Sequence, residues 1–174
     1  MIYLPQRAVF IHIPRAAGNS VTSAIASTCA GKGIDIMVGT GGAIQGWQKI
    51  KRHARAIVLK EIIDEWDDIY KFAIHRPMED RVKSVARLIQ RDIDDKVHED
   101  PTCPEAWRKV LNSEDENYWS IFMTHTTNWY TRGHNIEDIG VETYDFSEIN
   151  DRWYEICEKC DIPQCPLPKL NSSK

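Results

Sequence analysis

The sequence predicts a single α/β domain over residues 1–174, with a central, mostly parallel sheet flanked by helices. Three observations carry that prediction. Two short β-branched and aromatic runs, AVFIHI at 8–13 and KFAIH at 71–75, read as buried strands. Each is followed at once by a turn and then by helical spacing, the order from which parallel sheets are built. A third pair, DIGVETY at 138–144 and a helix over about 147–160, repeats that order near the end of the chain.

The elements follow in order. Pro14 ends the first strand, and RAAG at 15–18 is a turn of small residues around one charge. From Asn19, the spacing of Val21, Ala24, Ile25 and Cys29 predicts a helix that Gly31 and Gly33 stop. VGTGGAIQG at 38–46 is a loop with four glycines. No Lys-Ser or Lys-Thr follows it, so it is not a Walker phosphate loop. A basic cluster of Lys49, Lys51, Arg52, His53 and Arg55 precedes the apolar AIVLKEII, which is predicted helical. After the second strand, Pro77 suits the first turn of a helix, where its missing N–H costs nothing. Val82, Val85, Ile89 and Ile93 form that helix's apolar stripe, and the acidic stretch 94–104 reads as an exposed loop. The aromatic-rich region beyond it reads as core, with Trp119, Trp129 and Tyr130 lining an acceptor site as the alternative. The tail CPLPKLNSSK is irregular.

Composition narrows the function classes. The 42% hydrophobic and 28% charged residues are the balance of a soluble globular protein, and a chain this long buries a core without disulfide staples. Lys plus Arg number 22 against 26 for Asp plus Glu, a net charge of −4. That excludes a general nucleic-acid coat but permits a local basic pocket. No apolar run is long enough to cross a bilayer, and MIYLPQRAVFIHIP lacks the parts of a signal peptide, so no membrane association and a cytoplasmic location are expected. Five cysteines include a C-x-x-C at Cys157 and Cys160, followed by Cys165. A metal site would want a second tight pair, and a redox pair would open a helix rather than close one. Reduced thiols at a helix end are expected.

The chemistry gathers at two turns. Ligands of parallel sheets bind outside the carboxyl ends of strands, where helix N-termini point. In the first turn, Ala16, Ala17 and Gly18 let backbone N–H groups approach an anion, Arg15 supplies a fixed charge, and Asn19 and Ser20 supply side-chain donors. In the second, Arg76 follows the strand, and Arg81 and Ser84 share one helix face. Two such turns imply a ligand with two anionic groups. Neither is a Walker loop or a dinucleotide glycine fingerprint, so ATP and NAD are not the first choices.

HIPRAAGNS resembles the 5′-phosphosulfate loop of sulfotransferases that use 3′-phosphoadenosine 5′-phosphosulfate (PAPS), seen as HIPKTAGTS in the carbohydrate branch. FAIHRPMEDRVKS is similar to that family's 3′-phosphate motif, with its Arg, second Arg and Ser in the same spacing. KRHARAIVLKEIIDEWDDIYKFAIHRP resembles the branch's linking segment, and LPKLNSSK its Leu-Pro-x-x-Asn-x-Ser element. The four matches keep the family's order and span nearly the whole chain.

The resemblance implies a P-loop-like three-layer domain. It puts Arg15 in the place of the lysine that contacts the transferring group, with Ala17, Gly18, Asn19 and Ser20 cradling the 5′-phosphosulfate. It assigns Arg76 and Ser84 to the 3′-phosphate, closes Asn171 and Ser172 over the nucleotide, and makes Arg81 a brace. His53 falls where the branch places its catalytic base, although a histidine in a basic run is by itself usually part of a solvated face. His12 and His75 are core or supporting groups, and His125 and His134 have no distinguishing spacing. Three departures stand out. Arg15 replaces lysine, Pro77 stands where asparagine is common, and the chain stops at Lys174, where relatives continue. A domain lacking that C-terminal extension is expected.

The implied reaction moves a sulfuryl group from PAPS to an acceptor hydroxyl on a carbohydrate or small molecule, releasing 3′-phosphoadenosine 5′-phosphate (PAP). It calls for no metal and no nucleic acid, and nothing in the sequence indicates an oligomeric state. Two alternatives stay open: a P-loop-like nucleotide or small-molecule kinase, which would use ATP with Mg²⁺, and a non-catalytic PAPS- or PAP-binding relative.

Overall fold

Ile2–Leu4 (β1), Ala8–Ile11 (β2), Met37–Val38 (β3), Tyr70–His75 (β4) and Glu142–Asp145 (β5) form one five-stranded sheet in the order β3-β1-β2-β4-β5. The helices are Gly18–Lys32 (α1), Ala56–Lys60 (α2), Met78–Asp94 (α3), Glu105–Leu111 (α4), Thr127–Thr131 (α5) and Ile149–Lys159 (α6). This computed structural model describes residues 1–39, 52–112 and 125–168. They pack as two units: the sheet unit, drawn from 1–76 and 126–168, and a helical unit within 77–125.

The sheet is mixed, which corrects the expected mostly parallel one. β1 pairs antiparallel with both β2 and β3, whereas β2–β4 and β4–β5 are parallel. The reason lies in three residues. Pro5, Gln6 and Arg7 make a tight turn in which Gln6 is left-handed (φ 60) and the Arg7 N–H donates to the Leu4 carbonyl at 3.1 Å. A turn that short folds the chain straight back, pairing Leu4 with Ala8. The hairpin and the two-residue β3 were too short to stand out as strands.

The parallel part matches the expectation because β2 and the middle of β4 are continuous apolar runs. Val9, Phe10 and Ile11 of β2 and Phe72, Ala73 and Ile74 of β4 are fully buried. They share one core with Val21, Ile25 and Cys29 of α1 and with Ile149, Trp153 and Ile156 of α6. Two buried indoles complete their hydrogen bonds to carbonyls, Trp66 to Ile139 at 3.1 Å and Trp153 to Cys165 at 2.8 Å. Gly31 lies inside α1, and left-handed Gly33 (φ 65) caps it, donating to the Cys29 carbonyl. The last strand is shorter than DIGVETY, beginning at Glu142.

In the helical unit, α3 buries only part of the expected stripe. Val85 is buried and Ile89 half-buried, whereas Val82 and Ile93 are exposed and the charged Arg81 and Asp92 are buried. The two buried charges are hydrogen-bonded: Arg81 donates to the His125 carbonyl at 2.9 Å, and Asp92 accepts from the Trp107 indole at 3.2 Å and from Arg91 at 2.8 Å. Satisfied polar groups thus share the buried face with Val85. Pro77 stands just before the helix as its N-cap residue rather than in its first turn. The stretch 94–104 contains a 3₁₀ turn at Val97–Glu99 and the buried Cys103.

Candidate functional site

β2 and β4 are parallel neighbours, with Ile11 opposite Ala73, so the turns that leave them share one edge of the sheet. Beyond β2, His12, Ile13 and Pro14 stay buried. Arg15 and Ala17 are then left-handed (φ 62 and 56), while Ala16 and Gly18 between and after them are not. Alternating handedness turns successive N–H groups to one side and makes a concavity that suits an anion. A left-handed non-glycine residue costs about 1–2 kcal/mol, and strain of this kind clusters at functional sites. Ala17 is also the N-cap of α1 and offers no capping side chain. The helix therefore presents its first N–H groups and the positive end of its dipole at the same place.

Two contacts shape this turn from behind. Gly18 lies against His12 so closely that a Cβ there would overlap the imidazole ring at its Nε2. His12 is held well below its ordinary pKa of 6.5, by burial first and by the neighbouring His53 next, so it is neutral. Arg76, at the end of β4, donates to the Arg15 carbonyl at 3.0 Å and lies 4.3 Å from the centre of the Phe146 ring. The two sequence-predicted arginines meet.

His53 is positioned by the same strand end. Its Nδ1 lies 2.9 Å from the His12 carbonyl, and its ring packs edge-on to that of His12 at 4.6 Å. A carbonyl only accepts, so Nδ1 is the donor, the tautomer that puts the lone pair on Nε2 whenever the ring is neutral. Two residues on, Arg55 donates through Nε to the Trp129 carbonyl at 2.9 Å. At the end of β4, His75 Nδ1 lies 2.7 Å from the Thr127 hydroxyl.

The sheet unit thus holds Arg15, Ala17, Gly18, Asn19, Ser20, His53 and Arg76 among the expected residues. Asn19 is exposed at the helix start and Ser20 is buried. Ser84 belongs to the helical unit, as does Arg81, which donates to the His125 carbonyl. Asn171, Ser172, Lys49, Lys51, Trp119 and most of the glycine loop lie outside the described residues. Sequence reasoning gave no role to the Arg55–Trp129 pair, to Phe146 or to the contact of Gly18 with His12. Arg55 and Trp129 are 74 residues apart, and no local signal joins them.

All five cysteines are free and buried, and the Cys157 and Cys165 sulfurs lie 4.0 Å apart. Burial pushes the Cys157 thiol up to about 12, which makes it an inert core thiol. Among the described residues, no three His, Cys, Asp or Glu side chains gather into a group that could hold a metal ion, and no helix is long and apolar enough to cross a membrane. Comparison with family models, curated proteins and solved structures finds no match to this chain.

Proposed function

We propose that this protein transfers a sulfuryl group from PAPS to the hydroxyl of a carbohydrate or small-molecule acceptor. One observation carries the reading. The strained turn at Arg15–Ala17 opens the helix α1 at the end of β2, and Arg76 from the neighbouring parallel strand is bonded into it. An N–H concavity, a helix dipole and two arginines at one strand edge suit a ligand with more than one anionic group.

PAPS supplies an already activated group, so the protein's tasks are binding, orientation and stabilisation of charge. Arg15 and the N–H groups of Ala17, Gly18, Asn19 and Ser20 would hold the 5′ side and stabilise negative charge there. Arg76 would hold part of the remaining nucleotide; Ser84, Asn171 and Ser172 keep the nucleotide-binding role that the sequence resemblance implies. His53, oriented through Nδ1, would accept the acceptor's proton at Nε2. The buried, reduced thiols favour the cytoplasm as the place of this activity.

Calorimetric titration with PAP, beside ADP and beside ATP with Mg²⁺, tests the donor site. PAP is expected to bind at least about tenfold tighter than ADP, the scale of one charge-assisted phosphate contact. Arg76→Ala should erase that difference. Equal binding of PAP and ADP, or a preference for ATP with Mg²⁺, would overturn the reading.

A further inference from the structure

The segment that brings His53 to the site also brings Arg55, which the donor site does not use. Arg55 is the half-buried residue before α2, in extended backbone (φ −71, ψ 150). Its Nε bond to the Trp129 carbonyl is joined by a cation–π contact, with the guanidinium carbon 4.6 Å from the centre of the Trp129 ring. One hydrogen bond and one ring contact hold the guanidinium in place. Arg55 sits at the start of α2 and Trp129 lies on α5, and these two helices pack together.

Other arginines of the chain meet carboxylates: Arg7 with Asp161, Arg91 with Asp92, Arg132 with Asp138 and Arg152 with Glu155. Arg55 makes no ion pair among the described residues, and its terminal nitrogens are the donors that the Trp129 contacts leave over. An oriented guanidinium with a spare two-nitrogen fork is preorganised for one oxyanion, because the fork matches the spacing of two oxygens on a carboxylate or sulfate. The Cα atoms of residues 53 and 55 can be at most roughly 7 Å apart. An acceptor held by Arg55 starts from the same short segment that carries His53.

We propose that Arg55, braced on Trp129, is the acceptor-side anchor and binds a single oxyanion, a carboxylate or a sulfate ester, carried by the hydroxyl-bearing acceptor. Its place in the reaction rests on the sulfotransferase reading; the anion site itself does not. One fork meets one anion, which fits a singly charged acceptor rather than a densely charged polymer.

The test is a nuclear magnetic resonance titration of isotope-labelled full-length protein, following the Arg55 Nε–H and Trp129 indole signals. The probes are para-hydroxyphenylacetate, its neutral amide and hydroquinone monosulfate, each with and without PAP. At least one of the two acids is expected to move both signals at a concentration at least about tenfold lower than the amide, and which one does so identifies the oxyanion. Arg55→Gln should abolish the difference, and Arg55→Lys, which keeps the charge without the fork, should retain only part of it. Unchanged remaining signals in either variant show that the fold is intact. Equal response to acids and amide, persistence of the preference in Arg55→Gln, or displacement of the acids by PAP would overturn the proposal. A preserved acid preference in a protein that does not bind PAP supports the Arg55 site and removes the sulfotransferase reading instead.

Discussion

Gly18→Ala should destabilise this protein, against the ordinary rule that alanine improves a helix. Gly18 is the first residue of α1 and its φ is not positive, so the backbone accepts alanine and the whole effect is steric. The added methyl would enter the space of the His12 imidazole. That ring has little room to retreat, being 5% exposed, stacked on Phe10 at 5.8 Å and packed by His53 at 4.6 Å. Overpacking of this kind costs about 1–3 kcal/mol, offset by at most about 1 kcal/mol of helix propensity. With the full offset taken, the net loss is up to about 2 kcal/mol, which lowers Tm by up to about 8 °C for a chain of this length. Gly31→Ala is the internal control, since nothing lies within 4 Å of a Cβ built there on the same helix. It should gain up to about 1 kcal/mol. Thermal unfolding of the two variants decides the matter. A Gly18→Ala protein melting at or above the parent would refute the close approach of the turn to His12.

Stability should fall with acid through His12. Its folded pKa lies well below 6.5, so under pH 6.5 the unfolded chain takes up a proton that the folded chain refuses. That one group gives a loss of up to about 1.4 kcal/mol per pH unit. Urea unfolding at pH 7.5 and 5.5 measures it, and His12→Gln should flatten the difference. His53→Ala should lower turnover by about 10²–10⁴-fold while PAP affinity stays within about twofold; a single-turnover assay beside calorimetry checks both. The thiols should resist Ellman's reagent in the native protein and titrate as five in urea, because all five are buried.

The parallel centre of the fold was legible because a strand covered on both faces must be apolar throughout, and AVFI and YKFAIH nearly are. The hairpin was not, because IYL is only three residues long and its turn reads as an ordinary chain start. On α3 the apolar periodicity misled for a definite reason. Arg81 and Asp92 find partners at His125 and Trp107, contacts that periodicity does not encode. Within the site, small residues around one charge marked the turn at 15–18 locally. What holds the turn in place is long-range: Arg76 reaches the Arg15 carbonyl from 61 residues away, and His53 reaches the His12 carbonyl from 41. Residue types announced the concavity; only the register of β2 on β4 assembled it.

The sheet also stops itself. In the order β3-β1-β2-β4-β5 the margins are a two-residue strand and a four-residue strand. The second margin carries Glu142, which Lys159 of α6 grips through both carboxylate oxygens at 2.9 Å while also bonding the Tyr144 hydroxyl at 3.1 Å. Open strand margins invite another chain to add itself, and brevity and charge are how proteins discourage it. Largely apolar strands such as β2 and β4 would be the hazardous templates, and here both have neighbours on both sides, as β1 does. The same arrangement that buries the strands leading into the site thus keeps their backbone out of reach of a second copy.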